Sequence, residues 1–256
     1  MTKHTFNTLM RNFIISAILS IVPVAMTAQI GEHRNDLAIG FNGGLNMSSV
    51  SFTPKVSQAK LNGITGGLSV RYVCEKYFST VCSLYGEINY SQMGWKEDIV
   101  DVNDMPVINT TTGLPEEYSR TVNYIQVPLM AHLAWGREQK GFAFFVNLGP
   151  QFGIYMSEST KTNFDFSDRN AADRVNPVCA QDTMAVENKF DYGIAAGAGI
   201  EFSHPKVGHF LLEGRYYYGL GNIYGDSKRD YFGSSNFGTI TVKLAYLFDI
   251  VRTRRQ

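Results

Sequence analysis

Residues Leu37–Met47 read LAIGFNGGLNM, and the order of side chains in this stretch decides the fold. Leu37, Ile39, Phe41, Leu45 and Met47 fall on one face of an extended chain, and Ala38, Gly40, Asn42, Gly44 and Asn46 on the other. Successive side chains of a strand point to opposite sides, so this period of two is a β-strand with two chemically distinct faces. The same alternation recurs near 61–74, 80–94, 120–136, 141–157, 189–203, 208–222 and 237–250. The chain is therefore expected to be all-β, with about eight strands, an even number.

The connections between these runs alternate in length. Glu75–Ser79, Gly136–Lys140 and His204–Val207 are tight, whereas Ser48–Lys60, Lys96–Ser119, Glu158–Asn188 and Ile223–Asn236 are long and polar. Short periplasmic turns and long extracellular loops are the pattern of a single closed antiparallel transmembrane β-barrel. On this reading both chain termini are periplasmic. Pro128 and Pro150 fall inside strand patterns. A proline removes a ladder donor, so bulges or missing bonds are expected there.

Alternation alone does not say which face meets lipid. One face carries small and polar residues, among them Gly67, Ser69, Ser83, Asn89, Asn147, Gly149, Gly193, Gly197 and Gly199, which suit the crowded lumen of a narrow barrel. The same face carries Arg71, Glu87, Glu201, Glu213, Arg215 and Lys243, three acids and three bases. Buried charges must be paired, so the set is expected to form a structural ion-pair network, with Lys243 meeting Glu213, Arg71 meeting Glu87 and Arg215 meeting Glu201. The other face is apolar and aromatic. Tyr72, Tyr90, Trp95, Trp135, Tyr155 and Tyr192 stand near strand ends, where interfacial girdles form.

Composition agrees. Lys+Arg and Asp+Glu are 23 each, so the formal net charge is zero and no electrostatic footprint for nucleic acid exists. A charged fraction of only 18% with 13% aromatics excludes a disordered chain. The one continuous apolar run, Phe13–Val24, follows Lys3 and Arg11 and precedes Ala25-Met26-Thr27-Ala28. It reads as a signal peptide over 1–28, leaving one barrel domain over 29–256.

Several segments together carry a resemblance: Gly43-Gly44-Leu45-Asn46, Tyr124-Ile125-Gln126-Val127-Pro128-Leu129, Asn147-Leu148-Gly149-Pro150-Gln151-Phe152-Gly153, Asp191-Tyr192-Gly193-Ile194, Gly197 through Glu201, Glu213-Gly214-Arg215-Tyr216 and Gly219-Leu220-Gly221-Asn222-Ile223. In this order and spacing the chain resembles the PorT-like family of outer-membrane β-barrel proteins of Gram-negative bacteria. The resemblance implies an outer-membrane barrel and no particular reaction. The last run, Thr241–Phe248, is similar to the C-terminal strand signal read by the barrel assembly machinery, although Asp249–Gln256 follow it.

No residue set points to catalysis, a cofactor or a metal. Cys74 and Cys82 flank the Glu75–Ser79 turn on one face, and a cross-hairpin disulfide between them is one reading, two free thiols the other. His132 falls on the lumen face, and His204 and His209 flank one turn without neighbouring ligands at metal spacing. The function expected is a non-enzymatic barrel whose external loops contact a ligand, partner or surface, embedded in outer-membrane lipid and lipopolysaccharide. A narrow pore, an outer-membrane enzyme acting on lipid or protein, and a soluble periplasmic barrel are the alternatives.

Overall fold

The computed structural model of the chain describes residues 31–225 and 231–252, so the expected signal peptide lies outside the described residues. From His33 onward the described residues of the sheet belong to one compact unit. Its strands are β1 (Glu32–Thr53), β2 (Gln58–Ala59), β3 (Leu61–Tyr77), β4 (Thr80–Glu97), β5 (Tyr118–Gly136), β6 (Gly141–Thr162), β7 (Phe190–His204), β8 (Gly208–Gly219) and β9 (Ser234–Val251). The order β2-β4-β3-β1-β9-β8-β7-β6-β5, with β4 also paired to β5, closes eight long strands into a ring. The two-residue β2 is an addition outside it, paired to Lys96–Glu97. Closure leaves no long free edge, which is how a sheet avoids edge-to-edge association.

Burial settles the faces. Phe41 and Leu45 are 62% and 63% exposed, whereas Asn46 is 1% exposed and Asn42 is also buried. The apolar face is outside and the polar face inside, as in a barrel that crosses lipid and the reverse of a soluble ligand-binding barrel. Glycines on the inner face let neighbouring backbones close up: a Cβ on Gly40 would stand 1.7 Å from the Tyr246 carbonyl oxygen.

The strands run further than the alternation of apolar and polar residues suggests. β1 continues through Ser48–Thr53 and β6 through Thr162, although a tilted crossing needs only about 9–11 residues. In the additional stretch the two faces keep their directions and exchange their chemistry. Val50 and Phe52 point inward and are buried, while Ser51 and Thr53 point outward. Met93 and Trp95 on β4, and Val122 and Tyr124 on β5, repeat the exchange. Where the outer face leaves lipid for water, apolar side chains gain by turning in. The expected loop at 48–60 is thus largely strand.

Two girdle assignments are corrected for the same reason. Trp95 is fully buried in the lumen and Tyr155 packs against the buried core, whereas Tyr90, Trp135 and Tyr192 are exposed on the outside. Both prolines lie where pairing is interrupted. The β4–β5 ladder lacks pairs between Gln126 and Leu129, and the β5–β6 ladder between Pro128 and Ala131, opposite Gly149–Pro150, with the register unchanged across each gap.

Candidate functional site

The lumen is filled in layers. Near its middle, Arg215 reaches across the barrel to Glu87, Nη1 to Oε2 at 2.8 Å, and holds Glu213 through Nε at 2.9 Å and Nη2 at 3.0 Å. Lys243 lies opposite Glu213 in the β8–β9 ladder, 3.3 Å from its carboxylate, and also contacts Glu87. All four side chains are at most 5% exposed. Two carboxylates and two cations in mutual contact satisfy each other's charge, the condition for burying them. Asn89 and Asn147 donate further hydrogen bonds to Glu87 and Glu213 at 2.8 and 3.0 Å.

A second cluster lies toward the short turns. Arg71 Nη1 donates to both oxygens of Glu201 at 2.8 Å. His209 stands between Glu201, 2.7 Å from Nδ1, and Asp249, 3.1 Å from Nε2. Two of the expected pairings are therefore different. Arg71 meets Glu201 and not Glu87, and Arg215 meets Glu87 and not Glu201. The ladder explains the exchange: Arg215 faces Gly197 on β7 while Glu201 faces Leu211, four residues along. Gly197 leaves the room, since a Cβ there would stand 2.4 Å from Glu213 Oε1.

Ser203, His209 and Asp249 superficially form a hydrolytic triad, with Ser203 Oγ 2.9 Å from His209 Nδ1. The chemistry does not follow. Both ring nitrogens of His209 face carboxylates, so both donate, and the Ser203 hydroxyl donates to Glu201 at 3.1 Å. No ring lone pair is left to take a proton from Ser203, which a serine nucleophile requires. Among the described residues no set of three or more His, Cys, Asp or Glu side chains converges to hold a metal.

Of the two cysteine readings, the structure has the free thiols: Cys74 and Cys82 are unbridged. A register shift between Val73 and Glu75 places Glu75, not Cys74, opposite Cys82.

Above the ion layers the lumen is aromatic. Phe52, Trp95, Tyr224 and Phe232 pack together with ring centroids 4.8–6.1 Å apart, and Tyr124 packs on Phe237 at 5.7 Å. The loops then fold over this plug. Arg174 makes a two-pronged contact with Glu116, Nη2 at 2.8 Å and Nε at 3.3 Å, joining loop 163–189 to loop 98–117. Burial opposes the Glu116 charge, but the Asn170 amide, Asn109 and Arg174 hold its carboxyl below the ordinary glutamate range. Asp182, fully enclosed, accepts from Arg169 at 2.9 Å. Burial raises the Asp182 carboxyl above the ordinary aspartate range, against the hydrogen bonds of Glu97 and Arg169. Cys179 lies in this cap with its Sγ 3.3 Å from Arg174 Nη1.

The family model described as "Outer membrane protein beta-barrel domain" matches residues 27–225. The chain belongs to this family. As a member it is an outer-membrane protein of Gram-negative bacteria, seated in lipid. Solved structures similar to this barrel include Ail of Yersinia pestis in complex with the heparin analogue sucrose octasulfate. It is 15% identical, covers 84% of this chain and 99% of its own, and has a TM-score of 0.35. OprG of Pseudomonas aeruginosa is 12% identical, with 85% and 98% covered and a TM-score of 0.40. Neisserial surface protein A is 10% identical, with 83% and 97% covered and a TM-score of 0.37. None of the curated proteins matches the chain.

The family match and the ring agree. The six charged residues that alternation puts on the lumen face are all buried. What it misses is the cap: Glu116, Arg174 and Asp182 lie in loops with no periodicity, and only their low exposure and mutual contacts reveal them. His209 and Asp249 were detectable, since His209 shares the inward phase of Leu211 and Glu213.

Proposed function

We propose that this outer-membrane barrel is a non-enzymatic display scaffold of the PorT-like kind, whose long loops meet a ligand, partner or surface outside the cell. A signal peptide over 1–28 is removed on export. The remaining single domain, 29–256, is inserted by the barrel assembly machinery acting on the β9 strand. Both termini and the short turns face the periplasm, and the lipid-facing belt meets lipopolysaccharide in the outer leaflet. The six lumen charges Arg71, Glu87, Glu201, Glu213, Arg215 and Lys243 serve as a structural plug.

The observation that carries this reading is the inversion of strand chemistry at the long-loop end. Strands with apolar residues turned in and polar residues turned out are built to stand in water, and here they hold up loops tied by buried ion pairs. A rigid scaffold that positions loops is the usual arrangement for binding. On loop 98–117, Val102, Met105 and Leu114 are exposed apolar side chains of the sort that contact a partner.

The test is topological. An epitope tag inserted at Met105 should bind antibody on intact cells, and a tag at Gln139 should bind only after the envelope is opened. The reverse pattern would overturn the orientation and, with it, the display function.

A further inference from the structure

We propose that loop 98–117 carries the docking surface of this barrel, an apolar platform that takes a polypeptide segment with both basic and apolar side chains; the proposal rests on the outward orientation of the long loops. The loop folds as three short antiparallel segments. Asp101 N donates to Met105 O at 2.8 Å and Val107 N to Ile99 O at 3.2 Å, which joins the first segment to the second. Asn109 N to Leu114 O and Glu116 N to Val107 O, both at 2.9 Å, join the second to the third. Between these bonds Val100 lies opposite Pro106, and Ile108 opposite Pro115. Both are thus narrow, non-hydrogen-bonded pairs, where the N–H that proline lacks is not needed.

The small sheet has two faces. Ile99, Val107, Asn109 and Glu116 are buried, Glu116 on Arg174 of loop 163–189. Alternation turns Val100, Pro106, Ile108 and Pro115 the other way, and Pro106, Ile108 and Pro115 are exposed. A sheet face turned to water is ordinarily polar. This one is formed by two adjoining apolar pairs, extended at the turns by Val102 and Leu114, 84% and 57% exposed. Contiguous exposed apolar surface of this kind marks an interaction site. Both edges are closed: Val175 N donates to Val100 O at 2.9 Å on one side, and Asn163 Nδ2 to Pro115 O at 2.7 Å on the other. A partner therefore meets side chains and not a free strand edge.

The charge around the platform selects the occupant. Residues 98–115 contain Asp98, Asp101 and Asp104 and no Lys, Arg or His. Asp98 shares the outward phase of Val100, and Asp104 is exposed. Asp173 reaches the same rim, since Asn170 Nδ2 donates to Asp173 Oδ2 at 2.7 Å and to Ile108 O at 3.3 Å. Opposite charges steer association and like charges suppress it. A second copy of the chain would bring the same acids, and a lipopolysaccharide surface its phosphates, so both are repelled. A polypeptide that presents Lys or Arg beside large apolar side chains matches rim and platform together.

The test uses the full barrel in phosphatidylcholine nanodiscs and a phage library of random peptides, depleted first on empty nanodiscs. Selected peptides should carry net positive charge together with large apolar residues, and synthetic copies should bind with a Kd on the order of 10 μM. Ile108→Ser should weaken them about tenfold. Asp104→Asn should weaken them about threefold and reduce the loss of binding caused by added salt. Heat-modifiable gel mobility should be unchanged in both variants, which separates lost binding from lost folding. Selected peptides that are acidic or lack apolar residues would overturn the proposal, as would peptides that bind Ile108→Ser as tightly as the native chain. So would a selection that yields nothing beyond the empty-disc background. The tag at Met105 keeps the two readings apart. A tag reached on intact cells, with no such peptides selected, removes the platform alone; a tag reached only after the envelope is opened removes the display function as well.

Discussion

Arg215 and Lys243 share two carboxylates, Glu87 and Glu213, in a set with no net charge and almost no exposure. Removing one member leaves an uncompensated charge in the lumen. Lys243→Met or Glu213→Gln alone should each lower stability by roughly 3–5 kcal/mol, whereas the double variant, neutral again, should cost far less. Urea unfolding of the two singles and the double measures this coupling directly, and additive costs would mean that the side chains are solvated. These residues are legible from alternation: Arg71 keeps the phase of Gly67 and Ser69, Glu87 that of Asn89, Glu201 that of Gly197 and Gly199, and Lys243 that of Thr241, while Glu213 and Arg215 share the inward phase of β8. Which partner each chooses was not legible. Arg71 reaches Glu201, 130 positions away, and that choice depends on strand register and on the space left by Gly197, which a single sequence does not encode locally.

At the level of elements, the strands were legible wherever lipid enforces apolar-out alternation, and lost wherever water replaces lipid. Val50 and Phe52 keep the inward phase of Asn46, and Trp95 that of Asn89, but the chemistry of the two faces is exchanged, so a reading tuned to one solvent takes them for loop or girdle. The loops lack even that signal and are held by pairwise chemistry. Asp182 illustrates it. Burial raises its carboxyl above the ordinary range, so its enclosure stabilises the cap fully below the unfolded aspartate value and loses that contribution as pH rises through the raised one. Glu97 stands within hydrogen-bond reach, and Arg169 and Arg174 are the neighbouring cations. Amide protection around Gln181–Val186, corrected for intrinsic exchange, should therefore fall as pH rises. The dependence should flatten in Asp182→Asn. Protection that rises with pH in the native chain would contradict a carboxyl raised by burial.

The molecule as a whole has a lipid-facing belt, a lumen filled by two ion clusters and an aromatic plug, and loops tied over one mouth. A ring of eight strands has an interior wide enough only for side chains, and here they fill it from Arg71 to Phe232. Such a barrel displays its loops and does not conduct. Planar-bilayer recording on the purified protein tests this most directly. The native chain should give no stable single-channel steps at neutral pH, whatever salt is used. Reproducible ohmic openings that persist after the loops are held by their native contacts would show a continuous water path through the Glu87–Arg215 layer and contradict it.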